Sequence, residues 1–187
     1  MTTENTSLDP RFSKVLFTHE QIDEAAQRIG KQIDAEYQNS DQVPVMVIVL
    51  KGAVMWAGDV MRHIKSDVEQ DFINVSSYHG GTASTGEIKL VTPLTVDIKN
   101  RDVLIIEDIV DTGLSLAFLK RLFVSEMGAK SARVITMLDK KAVRKADVEV
   151  EFAGFEIEDE FVVGYGLDYK EIWRNIPFVG VINPEVI

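Results

Sequence analysis

Residues 103–116 read VLIIEDIVDTGLSL, and no other stretch restricts the fold as much. The apolar run 103–106 describes a strand covered on both faces, as strands of parallel sheets are. Two carboxylates, Glu107 and Asp108, stand at its end. A turn follows at Asp111, Thr112 and Gly113, and a helix opens at Leu114 and Ser115. Successive side chains of a strand point to opposite faces, so the strand is expected to end at the acids if both are to reach one ligand. Backbone N–H groups at a helix mouth, with the Thr112 and Ser115 hydroxyls beside them, form a cradle for a phosphate monoester. Acids on the rim of such a cradle repel phosphate but suit sugar hydroxyls or Mg²⁺. A ligand joining a phosphate, a diol and a metal-bound pyrophosphate uses all these groups together.

The remaining sequence alternates strand and helix. Thr18 and Gln21 form a capping box for a helix whose apolar face is Ile22, Ala25, Ala26, Ile29 and Ile33. Pro44 precedes a buried strand over 45–50, followed by a helix over 53–64 and a short strand over 72–75. Residues 90–96 read as a strand and Asn100 with Arg101 as a turn. The helix after the cradle carries Leu116, Leu119, Phe123 and Met127 on one face and stops at Gly128. Residues 133–138 form another buried strand. This order predicts an α/β fold: an open, mainly parallel, doubly wound sheet flanked by helices, with its site at the carboxyl ends of the strands. The last ~40 residues break the alternation, and residues 1–10 read as a disordered tail.

A chain of 187 residues, 45% hydrophobic, suits a single domain spanning 1–187. The absence of cysteine excludes disulfides and thiolate metal sites. His19, His63 and His79 lack metal-ligand spacing, and Trp56 and Trp173 read as packing residues. No apolar run reaches the ~18–20 residues of a membrane span. The polar, acidic N-terminus is unlike a signal peptide, so a cytoplasmic location is expected. Thirty acidic against twenty basic residues give a formal net charge of −10, which speaks against nucleic acid as a partner. The chain lacks both a phosphate-loop kinase motif and a strand-linked GxGxxG.

The segment around Glu107 and Asp108 resembles the phosphoribosyl pyrophosphate signature of the type I phosphoribosyltransferases. Leu50, Lys51 and Gly52, then Ser77 and Tyr78, Asp139 and Lys140, and FVVGYGLDY at 161–169 resemble further landmarks of the 6-oxopurine (hypoxanthine-guanine) branch, in its order. The resemblance runs from about Val15 to about Pro184. It implies a hood over the sheet, made from the C-terminal segment and an N-terminal piece. It also implies transfer of ribose 5-phosphate from phosphoribosyl pyrophosphate to N9 of hypoxanthine or guanine, with Mg²⁺, in a homodimer or homotetramer.

By the same resemblance, Glu107 and Asp108 hold the ribose hydroxyls, and Asp111 exchanges a proton with the purine. Asp111, Thr112, Gly113, Leu114 and Ser115 bind the 5′-phosphate, although some relatives have lysine where Leu114 stands. Lys51, following a peptide that is cis in many members, binds pyrophosphate with Gly52 and Arg174. Lys140 meets the purine O6, with Lys141 as the one-residue alternative. Phe161 stacks on the base, and the Val162 backbone pairs with its edge. Asp168 lies by the purine and, with Glu107 and Asp108, is a candidate Mg²⁺ ligand. The Gly- and Ser-rich residues 76–88, with Ser77 and Tyr78 at their base, form a mobile lid. Two other readings stay open: an enzyme for xanthine or adenine, and a nucleic-acid-binding sensor of phosphoribosyl pyrophosphate.

Overall fold

The computed structural model describes residues 9–77 and 88–186. Residues 1–8 of the expected tail, and Tyr78, His79 and the rest of 78–87 of the expected lid, lie outside the described residues. Nine strands and three helices are described: β1 (Phe12–Phe17), α1 (His19–Tyr37), β2 (Val45–Val49), α2 (Val54–Arg62), β3 (Glu69–Ser77), β4 (Ile88–Thr92), β5 (Asp102–Val110), α3 (Leu114–Arg121), β6 (Ser131–Asp139), β7 (Phe152–Glu156), β8 (Val162–Val163) and β9 (Val179–Ile182).

The main sheet has the order β4-β3-β2-β5-β6-β7. It is parallel except where β4 pairs antiparallel with β3 at one edge. Its strands carry apolar side chains on both faces, and the period of two sorts them. Met46, Ile48, Leu104, Ile106, Ile135 and Met137 face a core with α1 and α2. Val45, Val47, Val103, Ile105 and Val134 face one with Leu116, Leu119 and Phe123. Helix α1 opens as its sequence predicts: Thr18 Oγ1 accepts from the Gln21 N–H at 3.4 Å, and Gln21 Oε1 accepts from the Thr18 N–H at 2.9 Å. Helix α3 passes into a π turn at Leu122–Glu126 before Gly128 ends it at φ 74°.

A small antiparallel sheet, β1-β9-β8, makes the hood. It packs Phe12, Val163, Ile176 and Ile182 together, and Phe17 stacks on Phe155 of β7 at 3.8 Å.

Several sequence expectations are corrected. The strand expected over 90–96 is β4, at Ile88–Thr92. The Asp71 carboxylate instead takes the N–H groups of Thr95 (2.6 Å) and Val96 (2.9 Å), tying that stretch down as a loop. The C-terminal residues leave the alternating pattern, as expected, but they also supply one more parallel strand to the main sheet, β7, which the sequence pattern does not place. Its connection from β6 contains only a short 3₁₀ turn, Lys141–Val143, where a helix is usual. Strand β5 does not end at the acids but runs to Val110, because β6 continues beside it through the pair Val110↔Asp139. On the other side β2 stops: Ile48↔Ile106 is the last pair of β2 with β5. Past Ile106, β5 therefore has one open flank.

Candidate active site

The phosphate cradle is built from the end of β5 into α3. Gly113 holds φ 78°, a left-handed conformation that suits glycine. A Cβ there would come within 2.7 Å of Val148 Cγ1 and 2.8 Å of Arg144 Cδ. Gly113 is also the N-cap of α3 and makes no side-chain cap. The helix-free β6–β7 connection lies behind the turn. The Thr112 carbonyl accepts from the N–H groups of Lys145 (2.9 Å) and Ala146 (3.0 Å), and the Asp111 carbonyl accepts from Arg144 Nε at 3.2 Å. Arg144 is held by an ion pair with the buried Asp139 and donates to the Val148 carbonyl at 3.0 Å. With these carbonyls satisfied from behind, no acceptor among the described residues takes the N–H groups of Thr112, Gly113, Leu114 or Ser115. They border a cavity of about 190 Å³ also lined by Glu107 and Asp111. Unpaired donors at a helix mouth attract an anion.

The two acids straddle the open flank of β5. Glu107 lines the cradle cavity, and its Oε1 accepts from the Asp108 N–H at 3.3 Å. Asp108 points to the start of α2, where a Cβ on Gly52 would lie 1.6 Å from its Oδ2. Burial, then the neighbouring Asp108 charge, hold the Glu107 carboxyl well above the usual carboxylate range. Burial also raises Asp108, opposed first by its hydrogen bond with the Glu107 side chain, then by the Ile109 N–H and the Arg174 charge.

Gly52 in turn adjoins the β8–β9 loop: a Cβ on Gly166, at φ 101°, would sit 2.0 Å from the Gly52 carbonyl oxygen. The Leu50–Lys51 peptide is cis, as the resemblance implies. Arg174 lies in a turn rather than a helix. It donates to the Gly166 carbonyl at 2.8 Å and pairs with Asp168 at 2.6 Å. Lys51 reaches the same loop through Glu171 at 2.7 Å. Lys51, Gly52, Asp108, Asp168 and Arg174 thus meet in one cluster.

Lys140 and Lys141 separate by burial. Lys140 is 8% exposed, its N–H donates to the Val110 carbonyl at 3.0 Å, and its ammonium lies 3.5 Å from Asp159. Lys141 points outward to Glu156 at 2.6 Å. Phe161 is 54% exposed, unusual for an aromatic ring flanked by the buried Val162 and Val163, and stands edge-on to Tyr169 with ring centres 6.2 Å apart.

Arg144, Asp59, Tyr165 and Glu171 were missed from sequence. Tyr165, at φ 52° between Gly164 and Gly166, donates its hydroxyl to the buried Asp59 of α2 and contacts His19 Nδ1 at 3.2 Å. Burial and the Asp59 hydrogen bond raise the Tyr165 phenol. That contact ties α2 to the loop bearing Arg174. A tyrosine between two glycines was the one available signal; Arg144 and Glu171 sit in ordinary-looking charged stretches.

Among the described residues, no group of three or more acidic, His or Cys side chains is arranged to hold a metal ion. The donor set still fits Mg²⁺, which keeps several waters and takes one or two carboxylates plus substrate oxygens. Glu107, Asp108 and Asp168 supply hard oxygen donors next to the cradle and the Lys51–Arg174 cluster. No described helix is long and apolar enough to cross a membrane.

A family model described as the phosphoribosyl transferase domain matches residues 14–170. The chain is 46% identical to the hypoxanthine-guanine phosphoribosyltransferase of Bacillus subtilis over 92% of its own length and 94% of the relative's. It is 45% identical to that of Streptococcus pneumoniae over 96% of its length and 98% of the relative's. The fold superposes on a hypoxanthine phosphoribosyltransferase from Staphylococcus aureus with a TM-score of 0.89, at 43% identity and 98% coverage of both chains. The Trypanosoma cruzi enzyme in complex with its product IMP also matches, with a TM-score of 0.89 at 31% identity, over 97% of this chain and 100% of that one.

Proposed function

The chain belongs to the phosphoribosyltransferase family, and from that premise we propose that it is a purine-salvage enzyme. It transfers ribose 5-phosphate from phosphoribosyl pyrophosphate to N9 of hypoxanthine or guanine, giving IMP or GMP and pyrophosphate. The observation that carries this reading is the convergence at one sheet edge of donor-only N–H groups, an acid pair and a buried lysine at the end of β6.

The N–H groups from Thr112 to Ser115 and the Thr112 and Ser115 hydroxyls hold the 5′-phosphate. Glu107 and Asp108 hold the ribose diol. As the C1′–pyrophosphate bond breaks and the N9–C1′ bond forms, positive charge grows on the ribose, and these carboxylates stabilise it. Asp111, exposed at the mouth of the cradle, takes the proton that the purine gives up at N7. The Lys140 ammonium donates to O6, which a 6-amino purine cannot accept. Phe161 stacks on the ring, and the Val162 backbone meets its edge. Lys51 and Arg174 bind the leaving pyrophosphate. Mg²⁺, held by Glu107, Asp108 or Asp168, would neutralise pyrophosphate charge when bound. Ser77 and Tyr78 belong to a lid that excludes water.

The chain is taken as one domain of a cytoplasmic enzyme. Val54, Met55 and Phe72, exposed on and beside α2, support assembly into a homodimer or homotetramer. An initial-rate panel with hypoxanthine, guanine, xanthine and adenine tests the reading. Turnover of the first two is expected, and a preference for adenine would sink the 6-oxopurine assignment.

A further inference from the structure

Lys170 and Glu171 form the two central residues of a tight turn. The N–H groups and carbonyls of Tyr169 and Ile172 are exchanged across it at 3.0 and 3.1 Å. Both central residues have positive φ, 50° and 68°. A two-residue turn of this hand favours Asn-Gly, because other side chains crowd the backbone there. Placing Lys and Glu in the left-handed region is unfavourable, and such strain tends to persist where a side chain is needed in that position.

The position taken by Glu171 is specific. Its Oε2 lies 2.7 Å from Lys51 Nζ and its Oε1 lies 3.5 Å from Arg174 Nη2. The Asp168 carboxylate takes the Glu171 N–H at 2.8 Å while also binding Arg174. One exposed carboxylate thus bridges both cations assigned to pyrophosphate, from the strained tip of a turn pinned in place by Asp168.

We propose that Glu171 is a built-in counterion of the leaving-group site, occupying Lys51 and Arg174 until a pyrophosphate-bearing substrate displaces it and reclaiming them as pyrophosphate departs. The proposal rests on the reading of Lys51 and Arg174 as pyrophosphate ligands. Its consequence is a weaker hold on product, and with it faster release, set by a residue that need not touch the reacting atoms. The side chain is 65% exposed and can swing away without opening the core.

Calorimetric titration of the full chain with inorganic pyrophosphate, beside its inhibition constant against phosphoribosyl pyrophosphate, provides the test. Glu171→Gln is expected to tighten pyrophosphate about two- to fivefold, the scale of an exposed ion pair. The KM for phosphoribosyl pyrophosphate should fall in parallel, and the gain should shrink at high salt. In the Lys51→Ala background the same substitution should gain much less, since its main partner is gone. Glu171→Gly, which suits the turn, keeps the test open should Glu171→Gln fold poorly. If Lys51→Ala and Arg174→Lys weaken pyrophosphate while Glu171→Gln and Glu171→Gly leave it unchanged or weaker, the counterion role is overturned and the site reading stands. If neither Lys51→Ala nor Arg174→Lys alters pyrophosphate binding, the site reading itself falls.

Discussion

Glu107 carries its proton to higher pH in the folded chain than in the unfolded one, because burial and the adjacent Asp108 charge both oppose its ionisation. Below the unfolded carboxylate pKa of ~4.3 both states are protonated, and the residue is neutral to stability. As pH rises through the higher folded value, the fold bears the cost of a buried charge that the unfolded chain does not. Glu107→Gln is therefore expected to raise Tm at pH 8 and leave it nearly unchanged at pH 4, while lowering activity. Equal shifts at both pH values in thermal melts would remove the argument. The lysine pair gives a second prediction at this scale. Lys140→Ala should raise the KM for hypoxanthine and narrow the discrimination against adenine, whereas Lys141→Ala, outward-facing on Glu156, should change little. A reversed outcome in the same base panel would shift the assignment by one residue. Asp111→Asn keeps shape but loses the proton acceptor, so kcat should fall by ~10²–10⁴-fold with a much smaller change in phosphoribosyl pyrophosphate KM.

Between β2 and α2 the backbone passes so close to Asp108 that Gly52 admits no side chain. Gly52→Ala must displace the carboxylate, and a misplacement on the order of 1 Å costs ~10²-fold, so kcat/KM for phosphoribosyl pyrophosphate should fall by that amount. Retained activity would mean that Asp108 does not act from the position described. Local signals made most elements legible: the capping box of α1, the continuous apolar runs of β2 and β5, and the glycine that ends α3. The course of β5 past Glu107 was not legible, because a strand's length depends on which neighbours continue beside it. β7 was hidden for a related reason: it follows β6 without a helix, so the alternation that marks parallel units is missing there. The cradle was visible in DTGLS at 111–115, but its backing by Arg144, Lys145 and Ala146 was not, since these act largely through carbonyls 33 to 34 residues away in sequence. Asp59 and Tyr165 show the same gap at 106 residues' separation, a pairing that only the folded chain brings about.

Across the whole molecule, the hood and the sheet contribute different halves of the site. The sheet's carboxyl edge carries the groups assigned to phosphate and ribose, and the hood carries Phe161 and Val162. Phe12 seats the hood: a Cβ on Gly180 would come 2.6 Å from its ring, and Phe178 packs edge-on against it at 5.0 Å. Phe12→Ala should cost about 3–5 kcal/mol, the usual range for a buried phenylalanine. In denaturant unfolding that loss should appear alongside a raised KM for the purine and a smaller change for phosphoribosyl pyrophosphate. Equal changes in both KM values would mean that the two parts do not act separately. The unequal lengths of β2 and β5 bear on how such a chain can vary over time. Since β2 pairs with β5 only as far as Ile48↔Ile106, residues 50–52 turn away across the gap this leaves. Lengthening the chain there by one residue would move Lys51 and Gly52 out of step with Asp108 and Gly166. A change of length in that bend is therefore excluded as firmly as a side chain at Gly52. Changes of length should accumulate instead where nothing is threaded so closely, as in the exposed residues 38–43 between α1 and β2.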